Sequence, residues 1–182
     1  MGNTKILTGV ESINNAGKLA LERAIKKQHI GPERAKQMLA MGMIEGDLTR
    51  QTDNQAFKKG TNAACHGIFN LNTVELESIG WRPNGNIAKL DKAVRDAASS
   101  TGAAHDQAEQ KMIDLSTRAL NHLLNKFGEL KVEQFTRTGN PDQAIPAGDN
   151  YKTAYEATKK MIGQDPAAFS DANRFWVDVQ QK

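Results

Sequence analysis

The residues whose side chains are most suited to catalysis lie in the stretch MLAMGMIEGDLTRQTDNQAFKKGTNAACHGIFNLN, which spans positions 38–72. Glu45 follows an apolar run, Asp53 lies in the polar segment after it, and the single cysteine, Cys65, precedes His66. A carboxyl group in dry surroundings keeps its proton and can act as a general acid. A thiolate beside a base can act as a nucleophile. The stretch therefore offers two chemistries, acid catalysis by Glu45 and thiol chemistry at Cys65.

Glu45 shares a helical face with apolar residues. At about 100° per residue, a position seven residues after Met38 and four after Met41 projects on nearly the same side as both. It also ends the predicted helix, where the helix dipole disfavours a negative charge. Burial and the dipole both raise a carboxyl pKa, as the acid of a glycoside-cleaving enzyme requires. The alternative is a helix-end glutamate that reaches water.

The elements that must position these residues are mostly helices. Apolar spacing, caps and stop signals predict helices over 16–27, 32–45, 86–100, 102–128, 150–163 and 165–180. A short helix with Asn72 as its N-cap is expected to end near Gly80. The segment 46–70 is expected to be a polar loop or small β-hairpin, and 136–150 a second loop. The prediction is a single mainly α (α+β) domain over residues 1–182.

Composition excludes several classes of protein. The chain has 182 residues, a net charge of +3 and 5% aromatic residues, and it lacks both a run of basic residues and a nucleic-acid-binding motif. No window approaches 18 consecutive apolar residues, so membrane insertion is not expected. The start MGNTKILTGVESINNAG has no apolar stretch typical of a secretory signal peptide. The histidines lack metal-ligand spacing, so neither a metal nor another cofactor is expected.

The order helix, terminal Glu45, polar excursion and then GIFNLN resembles the lysozyme-like superfamily, most closely goose-type lysozymes and lytic transglycosylases. In that superfamily a catalytic glutamate ends a buried helix, and a segment of the form Gly–(Leu or Ile)–(Met or Phe)–Gln–(Ile or Val) lines the sugar cleft. The resemblance implies a lysozyme-like fold with Glu45 as general acid. It also implies that Gly67, Phe69 and Asn70 bind the glycan, with Phe69 packing beneath it.

The sequence departs from the superfamily pattern at three places. Gly46 stands where the family usually carries Ser, and Asn70 stands where Gln is usual. In place of the downstream AYNAG motif the chain has AYEAT at 154–158, which offers Tyr155 but neither the Asn nor the Gly that the family carries in the far wall of the cleft. Asp53 is the expected base if the reaction is hydrolysis. A lytic transglycosylase needs no second carboxylate, and both reactions remain open.

The resemblance implies cleavage of the glycan strand of peptidoglycan by a muramidase. Without an export signal, the expected routes to the cell wall of a target cell are type VI secretion, as an antibacterial effector, or release as a phage lysis enzyme. An effector of this kind implies a cognate immunity protein as its inhibitor. Two other functions stay open. One is a peptidoglycan amidase that depends on Cys65 and a histidine, and the other is a non-enzymatic helical interaction or structural module.

Overall fold

The fold is a set of packed helices with one very small sheet. The computed structural model describes residues 15–46 and 65–164. Within these ranges the elements in chain order are α1 (Asn15–Lys27), α2 (Pro32–Gly46), β1 (Cys65–His66), β2 (Leu71–Asn72), α3 (Thr73–Ser78), α4 (Asn86–Ser99), α5 (Gly102–Phe127), α6 (Glu129–Thr138) and α7 (Tyr151–Gln164). None of the helices in this part of the chain combines the length and the apolar content needed to cross a bilayer.

Helix α5 is the central element of the core. Its residues Met112, Leu115, Ala119 and Leu123 recur at helical spacing, and all four are buried. Helices α1, α2, α4 and α6 all contact α5, while α7 packs against α2. Side chains from all seven helices join one apolar cluster, so the described segments share a single core.

A turn of four residues, Gly67–Asn70, joins the two strands. The strands pair antiparallel, with His66 opposite Leu71. The turn needs backbone in the left-handed region at both ends, with φ of 71° at Gly67 and 54° at Asn70. Glycine adopts this conformation freely, and asparagine tolerates it better than most residues. The N–H of Ile68 donates a hydrogen bond to Ser116 Oγ at 3.4 Å, which fixes the turn to α5.

Helix α3 begins with a capping box. The Glu75 N–H donates to Asn72 Oδ1 at 2.8 Å, and the Asn72 N–H donates to Glu75 Oε1 at 3.3 Å. The second oxygen of the same carboxyl accepts a hydrogen bond from Thr136 Oγ1 of α6 at 3.0 Å. One buried side chain therefore completes the start of α3 and holds α6 against it.

The structure confirms the mainly α (α+β) class, with a two-stranded antiparallel sheet after the second helix. It also confirms Asn72 as an N-cap. The expected loop over 136–150 was wrong at its start, because α6 runs through Thr138 and ends at Gly139 in the left-handed conformation. Helix α6 itself was not predicted. The segments 47–64 and 165–180, which hold most of the polar excursion and the last expected helix, lie outside the described residues.

Replacing Gly67 by alanine tests how closely the turn packs on α5. A Cβ at Gly67 would overlap the Ser116 side chain, and the positive φ adds backbone strain. Gly80 is the matched control, because its φ is also positive at 86° but its Cβ would meet open space. We expect Gly80→Ala to cost about 1 kcal/mol from strain and Gly67→Ala about 3 kcal/mol, since overpacking adds about 1–3 kcal/mol. Equal losses in urea unfolding would contradict this packing.

Candidate functional site

Glu45 lies in the last turn of α2, above the buried side chains of Met38 and Met41. The residue itself keeps partial access to solvent. Burial raises the pKa of Glu45 from 4.5 to about 7, although the positive charge of Arg137 lowers it. The group can thus keep its proton near neutral pH and give it to a ligand that reaches it.

The turn that follows β1 is joined to the end of α2. Asn70 Nδ2 donates a hydrogen bond to the backbone oxygen of Glu45 at 3.1 Å. Phe69 is 1% exposed and belongs to the core, and Gly67 is buried, whereas Asn70 is partly exposed. Of the three residues expected to bind a glycan, Asn70 has the side chain that lies at the surface beside Glu45.

The sequence analysis missed Glu75, a second carboxyl near Glu45. Glu75 is fully buried. Burial raises its pKa to about 8, the hydrogen bonds from Asn72 and Thr136 lower it, and the charge of Glu45 raises it. A buried carboxyl with this pKa is mostly protonated at pH 7, so Glu75 is a neutral neighbour of Glu45 and is unsuited to act as a general base.

Helices α6 and α7 bring two further groups that the sequence analysis missed, Arg137 and Tyr151. Arg137 Nε donates to Asp149 Oδ2 at 2.7 Å, and its guanidinium carbon lies 5.9 Å from the centre of the Tyr151 ring. The hydrogen bond from Arg137 holds the pKa of Asp149 below its usual range. Asp149 therefore stays ionised and keeps Arg137 in place beside Glu45.

Tyr151 is 1% exposed, and its hydroxyl has no hydrogen-bond partner among the described residues. Burial raises its pKa well above 10, and the charges of Glu45, Glu133 and Glu75 raise it further. The phenol thus keeps its proton and remains a donor close to several carboxyls. A buried donor without a partner is costly and marks a polar position in the core.

Tyr155, the tyrosine of the AYEAT stretch, lies one turn after Tyr151 on α7. The two rings are stacked with their centres 6.5 Å apart. The Tyr155 hydroxyl instead donates to Glu129 Oε1 at 2.7 Å. It helps to hold the start of α6 against α7.

Cys65 and His66 are not arranged as a nucleophile and its base. His66 Nδ1 lies 2.6 Å from Asp91 Oδ1, and His66 Nε2 lies 3.0 Å from Thr73 Oγ1. Both ring nitrogens are therefore engaged, and neither remains for the Cys65 thiol. Neighbouring residues of a strand also point to opposite faces.

Three carboxylates on α6 and α7 could hold a cation. Oxygens of Glu129, Glu133 and Glu156 lie within 4.8 Å of one another. The Lys159 ammonium already forms ion pairs with Glu129 and, at 3.4 Å, with Glu156. The cluster therefore contains a positive charge of its own, and a metal ion would have to displace it.

Asp53, the expected base, lies outside the described residues, so its position relative to Glu45 stays a prediction. Comparison of the chain with models of known protein families, with curated proteins and with solved structures gives no match. The class of protein that the site favours therefore rests on the residues and geometry of this chain.

The raised pKa of Glu75 makes stability depend on pH. Because the folded chain holds this proton more tightly than the unfolded chain, the contribution of Glu75 to stability is fully present below pH 4.5 and is lost as the pH rises through about 8. Glu75→Gln keeps the shape without the ionisation. Between pH 5 and 8 we expect the variant to lose less stability than wild type, by on the order of 3 kcal/mol.

Urea unfolding at a series of pH values measures this difference. Glu77→Gln is the control, since Glu77 lies on the same short helix and is exposed. It should leave the pH dependence unchanged. If wild type and Glu75→Gln lose stability in parallel, Glu75 is not the buried, protonated group described above.

Proposed function

We propose that this protein cleaves the glycan strand of peptidoglycan, with Glu45 as the general acid. The observation that carries the proposal is the carboxyl of Glu45 at the end of a buried helix, with a pKa of about 7. Next to it lies the Gly67–Asn70 turn, which is joined to the Glu45 backbone through Asn70. An acid of this strength beside a surface-facing amide suits protonation of a bridging oxygen in a bound sugar chain.

In the proposed reaction the proton of Glu45 passes to the glycosidic oxygen as the bond from that oxygen to the sugar carbon breaks. The leaving sugar departs as an alcohol, and positive charge develops on the other ring. Glu45 becomes a carboxylate, which Arg137 and the Tyr151 hydroxyl stabilise from the side of α6 and α7. Their charge and donor are in place before the reaction, so they need no reorganisation.

The second half of the reaction takes one of two forms. A water adds to the sugar carbon and gives its proton to a base, or the 6-hydroxyl of the same sugar attacks and closes an anhydro ring. Glu75 is unsuited to be that base, because it is fully buried and mostly protonated at pH 7. For hydrolysis we propose Asp53 as the base, whereas anhydro-ring closure needs no second carboxylate and returns the hydroxyl proton to Glu45.

The biological setting that we propose is the cell wall of a target bacterium. Delivery by type VI secretion or with the help of a phage holin would bring the enzyme to its substrate. A cognate immunity protein that covers the region around Glu45 would protect a producing cell. These partners follow from the proposed substrate.

Digestion of purified peptidoglycan tests the proposal. We expect wild type to release disaccharide-peptides and Glu45→Gln to lose at least about 100-fold in rate, since general acid catalysis contributes about 10²–10⁴-fold. Glu33→Gln is the matched control on the same helix, because its side chain is 80% exposed. Mass spectrometry of the products separates a reducing end from a 1,6-anhydro end. Absence of glycan fragments with wild type would overturn the proposal.

The same assay has an expected pH profile. Glu45 must be protonated to act, so the rate should fall as the pH rises through about 7. In wild type, carboxyl chemical shifts from carbon NMR should place the titration of Glu45 in the same range. A Glu45 carboxyl that titrates near 4.5 would contradict the raised pKa on which the proposal depends.

Substitution of Cys65 separates glycan cleavage from a thiol-dependent amidase. Cys65→Ala should leave the release of glycan fragments unchanged, because His66 is held by Asp91 and Thr73. Release of free peptides by wild type and its loss in Cys65→Ala would instead assign the activity to the thiol.

A further inference from the structure

Arg137 has hydrogen-bonding capacity that the fold does not use. A guanidinium carries five N–H donors in a planar fork. Within residues 15–46 and 65–164, its hydrogen bond runs from Nε to Asp149 and leaves the two terminal nitrogens without a protein partner. The side chain is 18% exposed, so solvent or a ligand can reach it.

Two contacts fix the guanidinium in one orientation. Asp149 holds its Nε edge at 2.7 Å, and the ring of Tyr151 lies beneath it at 5.9 Å. Asp149 itself is held by the N–H of Tyr151, which donates to Asp149 Oδ1 at 2.8 Å. An arginine that is oriented in advance loses little entropy when it binds an anion.

The charge of Arg137 acts at the same place as the proposed chemistry. Arg137 is the basic group that lowers the pKa of Glu45. Arg137 has two close neighbours on this side. Tyr151 is a neutral phenol, and Asp149 is a negatively charged carboxylate that accepts one hydrogen bond from the guanidinium. A carboxylate on a ligand bound at Glu45 would find a two-donor site in the remaining N–H groups.

The geometry points to Arg137 as the residue that binds a carboxylate carried by the muramic acid branch of the substrate. This inference rests on the proposed cleavage of peptidoglycan and narrows the substrate to strands with an anionic branch. Two sources share this chemistry. One is a free carboxylate of the peptide stem, and the other is the lactyl carboxylate that is exposed when the stem has been removed.

Binding can be measured separately from cleavage in the Glu45→Gln background. The ligands are soluble glycan strands with stems, strands freed of their stems, and both kinds of strand after conversion of their carboxylates to neutral amides. We expect addition of Arg137→Gln to weaken binding of a carboxylate-bearing strand roughly 10- to 100-fold, the range for hydrogen bonds to charged groups. Binding of the amidated strands should be weak in both proteins and should change little.

The control is Lys131→Gln, which removes one positive charge from the same helix and breaks a comparable ion pair, at 3.0 Å, to Asp142. It should not change the preference for carboxylates. Arg137→Lys keeps the charge without the fork and should restore part of the preference. Thermal unfolding of each variant shows whether the fold is retained.

The outcomes distinguish this inference from the proposed function. Equal binding of native and amidated strands, or an equal loss on both in Arg137→Gln, overturns the carboxylate site even if wild type cleaves peptidoglycan. If only strands with stems show the Arg137-dependent preference, the stem supplies the carboxylate; if stem-free strands show it, the lactyl group does. A preference for carboxylates without any glycan cleavage by wild type would support the site and overturn the proposed reaction.

Discussion

The buried carboxyl of Glu75 is the contact on which the rest of the site depends. It accepts hydrogen bonds from the Asn72 backbone and from Thr136, and so it joins the start of α3 to α6. Thr136 directly precedes Arg137, which means that the contact sets the position of the positive charge beside Glu45. Because a polar group without partners is costly in the core, the geometry around Glu75 is strongly constrained.

The pKa of Glu45 reflects two opposing physical effects. Burial at the end of α2 favours the neutral acid, while Arg137 favours the carboxylate. With burial alone the proton would be held more tightly and released less readily. With a stronger positive field the group would be ionised and could not act as an acid. The pKa of Glu45 therefore depends on how closely α6, which carries Arg137, approaches the end of α2.

Local signals predicted the parts of the site that are close in sequence. The apolar run before Glu45 predicted a carboxyl in dry surroundings at the end of a helix, and the resemblance implied that the GIFNLN segment lies near it; in the structure Asn70 joins the two segments. The spacing of Asn72 and Glu75 is that of a capping box, yet the second hydrogen-bond partner of the buried Glu75 carboxyl is Thr136, which lies 61 residues later. No local pattern carries information of that kind.

The sequence did not predict helix α6, because its apolar pattern is weak and its contacts with other helices are tertiary. Gly128 ends the long helix α5, as the sequence predicts, and the same residue also directly precedes α6. The exposed Leu130 weakens the apolar pattern of α6, although Val132 and Phe135 are buried at helical spacing. Arg137 and Tyr151 come from two helices whose pairing is decided by tertiary contacts, so their approach to Glu45 could not be predicted from sequence spacing alone.

The connection between α5 and α6 also determines when Glu45 and Glu75 can gain their contacts with α6 and α7 as the chain is synthesised. A ribosome-bound chain that has emerged only as far as Gly128 contains Glu45 and the Gly67–Asn70 turn, but it lacks Thr136, Arg137 and Tyr151. Glu75 then has no partner on α6, and Glu45 has neither its counter-charge nor the cover of α7. The pKa of Glu45 in the folded chain is therefore set only after α6 and α7 have been made and packed, so the residues that follow Gly128 determine when this carboxyl has both its burial and its counter-charge.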